Sequence, residues 1–335
     1  MEVGAGNFLE FSALLLIILQ IIISTEGSNP DHEWGYTKDN GPFHWPKWYP
    51  QCDGKSQSPI TIKGESATYQ PQNTSYTISP GYMTESDKMY AENNGHTLQI
   101  SSNVDFFING FNLPNKYKVL QFHMHWGSSR TMNVGSEHYI NGISFPLELH
   151  IVTFNKEKYE RLDTTSPQNG PDTLAVFGLL FKQQKNDNPD LAQILKLNFS
   201  EIIFPGDKKI EFPAFPLNNL FNGFKTDQYF QYNGSLTTPG CQEIVSWTVF
   251  PFGPGVSVNQ IAKLQTLSMT RDKMTPMVNN HRNPQSLNNR KVTRSFADFK
   301  MGELLSLSRG SLQSTAPSIV IISSVFMTLL MMTFH

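Results

Sequence analysis

Along the middle of this 335-residue chain, apolar residues recur at every second position in one short run after another, and that spacing restricts the fold more than any other feature. Residues 97–108, 119–126, 147–154, 173–181 and 244–250 all show it, and Gly, Pro and Asn divide the runs. Successive side chains leave a strand on opposite faces, so these runs predict the strands of a sheet. Helical spacing is weak and short, best at 189–197 and 258–268. The expected architecture is mainly β, with short surface helices. No repeat or low-complexity linker divides the chain, so one domain over residues 31–299 is the simplest arrangement.

Lys and Arg number 26 against 28 Asp and Glu, a formal charge of −2, and no basic stretch suits a phosphate backbone. That argues against nucleic acid as a partner. Charged residues are 16% of the chain and aromatics 12%, a composition that fills a core and is unlike that of a disordered chain.

The two ends read differently. Residues 13–23 are apolar except Gln20, and small or polar residues follow at 24–28. Residues 1–25 therefore read as a secretory signal peptide, with an uncleaved anchor as the alternative because Glu2 and Glu10 stand where positive charge is usual. At the other end, residues 317–334 are apolar apart from hydroxyls, and only His335 follows. A spanning helix normally carries a basic cytoplasmic flank. A hydrophobic segment at 317–335, behind a polar stalk at 300–316 with small residues Ser306, Ser308 and Gly310, reads instead as a signal for glycosylphosphatidylinositol attachment. A plain transmembrane tail is the alternative. These expectations place the domain outside the cell, tied to the membrane by a lipid.

Only two cysteines occur, Cys52 and Cys241. In an oxidising compartment they are expected to pair; two buried free thiols are the other reading. Sequons at Asn73, Asn198 and Asn233 agree with a secretory route.

The chemistry centres on Gln121-Phe-His-Met-His-Trp-Gly. In a strand, His123 and His125 leave on one face while Phe122, Met124 and Trp126 pack on the other. His150 shares a face with Glu148 in the run 147–152. Three neutral imidazoles would hold Zn²⁺ and leave its fourth tetrahedral position open, as a catalytic site needs. Two histidines on one strand are by themselves more often unbound than bound. Gln121 and Glu148, each two residues before a candidate ligand, can orient the second ring nitrogen, and that strengthens the metal reading.

With these motifs in view, the chain resembles the α-class carbonic anhydrases, especially their secreted and membrane-bound members. The resemblance runs over about 31–299 and rests on Gln121 to Gly127, Gly135-Ser-Glu-His, Glu148-Leu-His, Ser235-Leu-Thr-Thr-Pro, Trp34-Gly-Tyr, Asn40-Gly-Pro, Gln57-Ser-Pro-Ile and Asn93-Asn-Gly-His, in the family's order. It implies a large twisted, mostly antiparallel sheet with zinc at the base of a cone-shaped cleft, and hydration of carbon dioxide to bicarbonate by a zinc-bound hydroxide. It further implies that Thr237 accepts a hydrogen bond from that hydroxide and donates its own to Glu137. Val152, Val176, Leu236, Thr238 and Trp247 would line the carbon dioxide pocket, and the backbone carbonyl of Asn280 would steady His125. His96 would relay the proton along waters ordered by Tyr36, Asn94 and Gln99. An imidazole is the one side chain whose ordinary pKa suits that task. His32, His44, His138 and His281 read as structural or surface residues. The cysteine pair also resembles that of secreted relatives.

Two departures stand out. The family often has His-Trp-Asn where this chain has Thr153-Phe154-Asn155, followed by a longer loop through Thr165, so the cleft rim is expected to differ. Asn233 replaces a common proline and creates a sequon. A non-catalytic extracellular binding or adhesion module on the same scaffold is the rival reading; such relatives lack one or more of the three histidines. Secreted ester hydrolysis would be a side activity of one site.

Overall fold

The computed structural model describes residues 33–300 and 302, apart from 73–74, 129–133, 160–161, 167–168 and 273. The expected signal peptide, Asn73, the hydrophobic tail and nearly all of the stalk lie outside the described residues.

The alternating segments become strands of one sheet. In chain order its main path uses β1 (Thr68–Tyr69), β2 (Lys88–Asn93), β3 (Leu98–Ser102), β4 (Tyr117–Trp126), β5 (Leu147–Phe154), β6 (Leu174–Gln183), β7 (Ile210–Pro213), β8 (Phe230–Gly234), β9 (Val245–Phe250) and β10 (Thr293–Arg294). In space the order is β7-β2-β3-β4-β5-β6-β9-β8-β10-β1. With Thr77–Ser79, Phe107–Asn109 and Gly255–Val256 the sheet counts 13 strands among the described residues. Pairing is antiparallel except for β6 with β9, β6 with Gly255–Val256, and β10 with β1. The mainly β, mostly antiparallel expectation matches the observed fold.

Alternation at the centre divides two buried faces, not core from solvent. All eight residues of β5 are buried. Leu147, Leu149 and Ile151 join one core with Phe122, Met124, Trp126 and Phe177, while Val152 and Phe154 join another with Val176, Tyr232 and Trp247. Glu148 and His150 stand on the second face.

Three expected elements differ. The strand expected over 97–108 is broken: Asn103 Oδ1 accepts the Lys88 amide (2.8 Å) and Ser102 Oγ that of Val104 (3.0 Å), turning the chain before Phe107–Asn109. Of 189–197, only α2 (Ala192–Leu195) is α-helical, after α1 (Trp45–Trp48). The helix expected over 258–268 is α3 (Val258–Leu264), opened by a capping box between Ser257 and Gln260. It stops early because the Ser268 amide is drawn to the Ile203 carbonyl (2.8 Å). No helix among the described residues is long and apolar enough to cross a membrane.

Candidate metal centre and active site

Strand register brings the histidines together. Across the antiparallel β4–β5 pair His123 lies opposite His150 and His125 opposite Glu148. The ligating atoms of His123, His125 and His150 fall within 4.8 Å of one another. Each ring spends its other nitrogen on an oxygen. His123 Nδ1 is 2.9 Å from Gln121 Oε1, His125 Nδ1 is 2.7 Å from the Asn280 carbonyl, and His150 Nε2 is 2.7 Å from Glu148 Oε1. A carbonyl and a carboxylate can only accept, so those nitrogens carry the protons. The nitrogens left facing inward, His123 Nε2, His125 Nε2 and His150 Nδ1, are then lone pairs. Two of them, on His125 and His150, are only 3.1 Å apart. Facing lone pairs repel unless a cation stands between them, so the donor set fits a metal. Burial pushes His125 down to about 4 and lowers His123 and His150 as well, which keeps the rings in the neutral form that metals bind.

Behind the ligands, Glu148 is a fully buried hub. Its Oε2 accepts the amides of Glu137 (2.8 Å) and His138 (2.7 Å), and its Oε1 meets His138 Nδ1 and His150 Nε2, each at 2.7 Å. Burial opposes its ionisation, but the two imidazoles outweigh that and hold its pKa well below the usual range. Gly178, opposite His150 on β6, makes the room: a Cβ there would sit 2.9 Å from Glu148 Oε1. His138, expected to be structural or at the surface, is buried, with Nε2 2.6 Å from Tyr232 Oη, itself 2.9 Å from Ser58 Oγ. Asn280 holds more than His125: its side chain accepts the Trp126 amide (2.8 Å) and donates to the carbonyls of His96 (3.0 Å) and Met124 (3.1 Å).

Glu137 is also fully buried, and burial pushes its pKa up to about 7 against the pull of His150 and neighbouring hydrogen bonds. Its Oε1 accepts the Arg282 amide (2.8 Å), whereas Oε2 has no hydrogen-bond partner of normal geometry. Thr237 is the neighbouring hydroxyl, close enough to favour the ionised carboxylate. The Thr237 loop is pinned: Ser235 and Ser58 exchange hydrogen bonds (2.9 and 3.0 Å), and the Cys241 amide reaches the Thr238 carbonyl (2.9 Å). Cys241 is bonded to Cys52 in a disulfide, so the expected pairing is present.

Above the three histidines opens a cavity of about 360 Å³. Its lining joins the apolar Val152, Val176, Leu236 and Trp247, with Thr238, Leu162 and Leu174, to the polar Tyr36, Asn94, His96, Gln99 and Gln121. Leu120 and Gln121 are chain neighbours yet both face the cavity, because a bulge in β4 between Val119 and Gln121 breaks the alternation. Leu162 and Thr164, from the loop after β5, also line the cavity.

Comparison with known proteins decides the family. A sequence profile of the eukaryotic-type carbonic anhydrases matches residues 40–296. The chain belongs to the carbonic anhydrase family. It is 36% identical to human carbonic anhydrase 7 over 270 residues, covering 79% of this chain and 98% of the relative. It is 33% identical to human carbonic anhydrase 12 over 310 residues, covering 91% and 85% respectively, and 35% identical to human carbonic anhydrase 3 over 269 residues, covering 79% and 98%.

In this carbonic anhydrase His96 stacks on Trp34, with ring centroids 3.6 Å apart and planes 8° from parallel. Its Nδ1 is buried without a partner, and burial pushes its pKa down to about 4. Asn94 spends its carbonyl on the amides of His96 and Thr97 (3.0 Å each), leaving its amide toward Gln99. Asn198 and Asn233 are exposed. The largest omission from the sequence reading is Arg282, whose guanidinium is buried behind Glu137.

Proposed function

We propose that this carbonic anhydrase hydrates carbon dioxide reversibly with a zinc ion held by His123, His125 and His150, on the outer face of a membrane. The observation that carries the metal assignment is the convergence of three neutral lone pairs, two of them 3.1 Å apart, whose tautomers are set by Gln121, Asn280 and Glu148. Three nitrogen ligands suit a catalytic zinc with an open position. When bound, zinc would supply a Lewis acid that makes water a nucleophile near neutral pH.

The chain's own groups divide the remaining work. Thr237 has one hydroxyl proton. Given to Glu137, it leaves Thr237 only lone pairs for the attacking oxygen, which must then turn its proton to Thr237 and its own lone pair to the substrate. Val152, Val176, Leu236 and Trp247 offer an uncharged gas a dry wall, with Thr238 beside them. Tyr36, Asn94 and Gln99 offer polar groups for waters between the metal centre and His96.

The test pairs zinc content with carbon dioxide hydration before and after chelation. One zinc per chain, with activity lost on chelation and restored by zinc, is expected; full hydration by metal-free protein overturns the assignment.

His96→Ala is expected to slow maximal turnover in dilute buffer about tenfold or more, while kcat/KM stays nearly unchanged and added imidazole restores the rate. Burial against Trp34 disfavours the protonated ring, so movement of His96 off that stack would make it a better relay. Full turnover of the variant at low buffer concentration would remove His96 from the path and leave the metal assignment standing.

The cell-surface part of the proposal rests on residues 1–25, 300–316 and 317–335 and is supported by the disulfide. Phe299 packs against Phe230, Phe252 and Phe296, which suits a domain ending where the stalk begins. Phosphatidylinositol-specific phospholipase C is expected to release most of the active enzyme from intact cells. Activity that stays on the membrane after lipase, yet is shed by cutting within 301–316, indicates a spanning tail.

A further inference from the structure

We infer that Arg282 is a positioning residue for Glu137, acting from the side of the site that faces the disulfide; this rests on the role proposed for Glu137. Arg282 is 1% exposed, and a guanidinium that deep needs partners. It has three from distant parts of the chain. Nη1 donates to Gln57 Oε1 (2.8 Å) and to the Ser58 carbonyl (2.9 Å), and Nη2 donates to the carbonyl of Cys52 (2.9 Å), itself tied to Cys241. The Trp45 ring lies across the cation at 5.7 Å.

The same residue's backbone amide donates to Glu137 Oε1 at 2.8 Å. Glu137 Oε2 is the oxygen left for Thr237, and its direction depends on where Oε1 is held. Two residues earlier, the Asn280 carbonyl meets His125. The guanidinium therefore fixes a short strap whose backbone orients one buried carboxylate and one imidazole. The Asn280 side chain ties one end of this strap to Trp126, His96 and Met124, and Arg282 ties the end that carries the Glu137 contact, reaching across 225 positions to Gln57 and 230 to Cys52. Lysine keeps the charge but cannot donate to three oxygens in the fork geometry.

Arg282→Lys and the harsher Arg282→Met test this in two backgrounds, with Glu137 intact and with Glu137→Ala, all measured per mole of bound zinc well below the melting temperature. With Glu137 intact, kcat/KM for carbon dioxide hydration should fall about tenfold, the lower end of outer-shell losses. In the Glu137→Ala background the same change should cost less than about twofold, because the route of its influence is gone. Amide hydrogen exchange at position 282 gives a readout independent of turnover and should speed up about tenfold or more in Arg282→Lys. Equal losses in both backgrounds, or unchanged protection of that amide, would reduce Arg282 to a structural residue and overturn the inference. If Arg282→Met does not fold, Arg282→Lys carries both measurements. Full activity of Glu137→Ala alone removes the role of Glu137, an outcome that the Glu137→Ala protein reveals before any Arg282 variant is compared.

Discussion

Replacing His123, His125 or His150 by alanine is expected to abolish carbon dioxide hydration and to empty most of the metal site. Two imidazoles cannot hold zinc tightly, and no other histidine, cysteine or carboxylate among the described residues adds a fourth ligand atom to this cluster. The three variants should differ in stability. His123 faces the cavity and is only partly buried, so its loss leaves space that water can fill. His125 and His150 are each 1% exposed, and their removal strands the Asn280 carbonyl or one contact of Glu148 beside a new void. A stranded buried acceptor costs about 1–3 kcal/mol and the void adds to it. His123→Ala should thus melt near the parent's metal-free temperature, and the other two well below it. Zinc analysis, hydration assays and thermal melts of metal-free protein check all three. Stoichiometric zinc with full activity in any one variant would remove that residue from the ligand set.

What could be read ahead of the structure follows the range of the interactions. His123 and His125 sit two apart, and strand geometry alone puts them on one face. That His123 stands opposite His150 depends on register, which spacing within one strand does not determine. Glu148 was legible as a partner for His150 because both lie on β5. Its other three hydrogen bonds were not, since they come from a turn 10 and 11 positions away. His138 looked like a structural or surface residue for the same reason: its partner Tyr232 lies 94 positions on. Arg282 was silent, being one cation in a stretch with no periodicity. The α-helix at 189–197 was overestimated at its end: Asn188 caps its start, with Oδ1 taking the amides of Asp190 (3.0 Å) and Leu191 (3.3 Å), but the Leu197 amide turns back to the Ile194 carbonyl (3.1 Å), a tighter turn that closes the helix. The family motifs succeeded where spacing failed, because they carry long-range information in short words.

The hub at Glu148 leads to the second large effect. As a ligand-orienting residue alone, Glu148 would be worth about 10 to 100-fold in metal affinity or activity. Its surroundings predict more. Four groups meet its two oxygens, two of them backbone amides that can only donate. Glu148→Ala strands all four in a dry interior. Unsatisfied donors cost about 1–3 kcal/mol each, and water entering the vacated space would recover part of that. A net loss of about 4 kcal/mol, or roughly 10 °C in Tm for a domain of this size, is expected. Glu148→Gln separates stability from metal binding. The two backbone amides require the glutamine carbonyl on their side, so its NH₂ must face His138 and His150. His150 can accept from that NH₂ only by moving its own proton from Nε2 to Nδ1, the atom that faces His123 and His125. The lone pair offered to the metal is then lost. Glu148→Gln should accordingly melt closer to the parent than Glu148→Ala does, yet bind zinc more than 100-fold more weakly, with hydration falling at least as far at limiting zinc. Competition with a chelator of known affinity measures the first quantity and calorimetry the second. Zinc affinity within a few-fold of the parent in Glu148→Gln would mean that His150 keeps its tautomer without the carboxylate, and the lone-pair argument for the metal centre would lose one of its three supports.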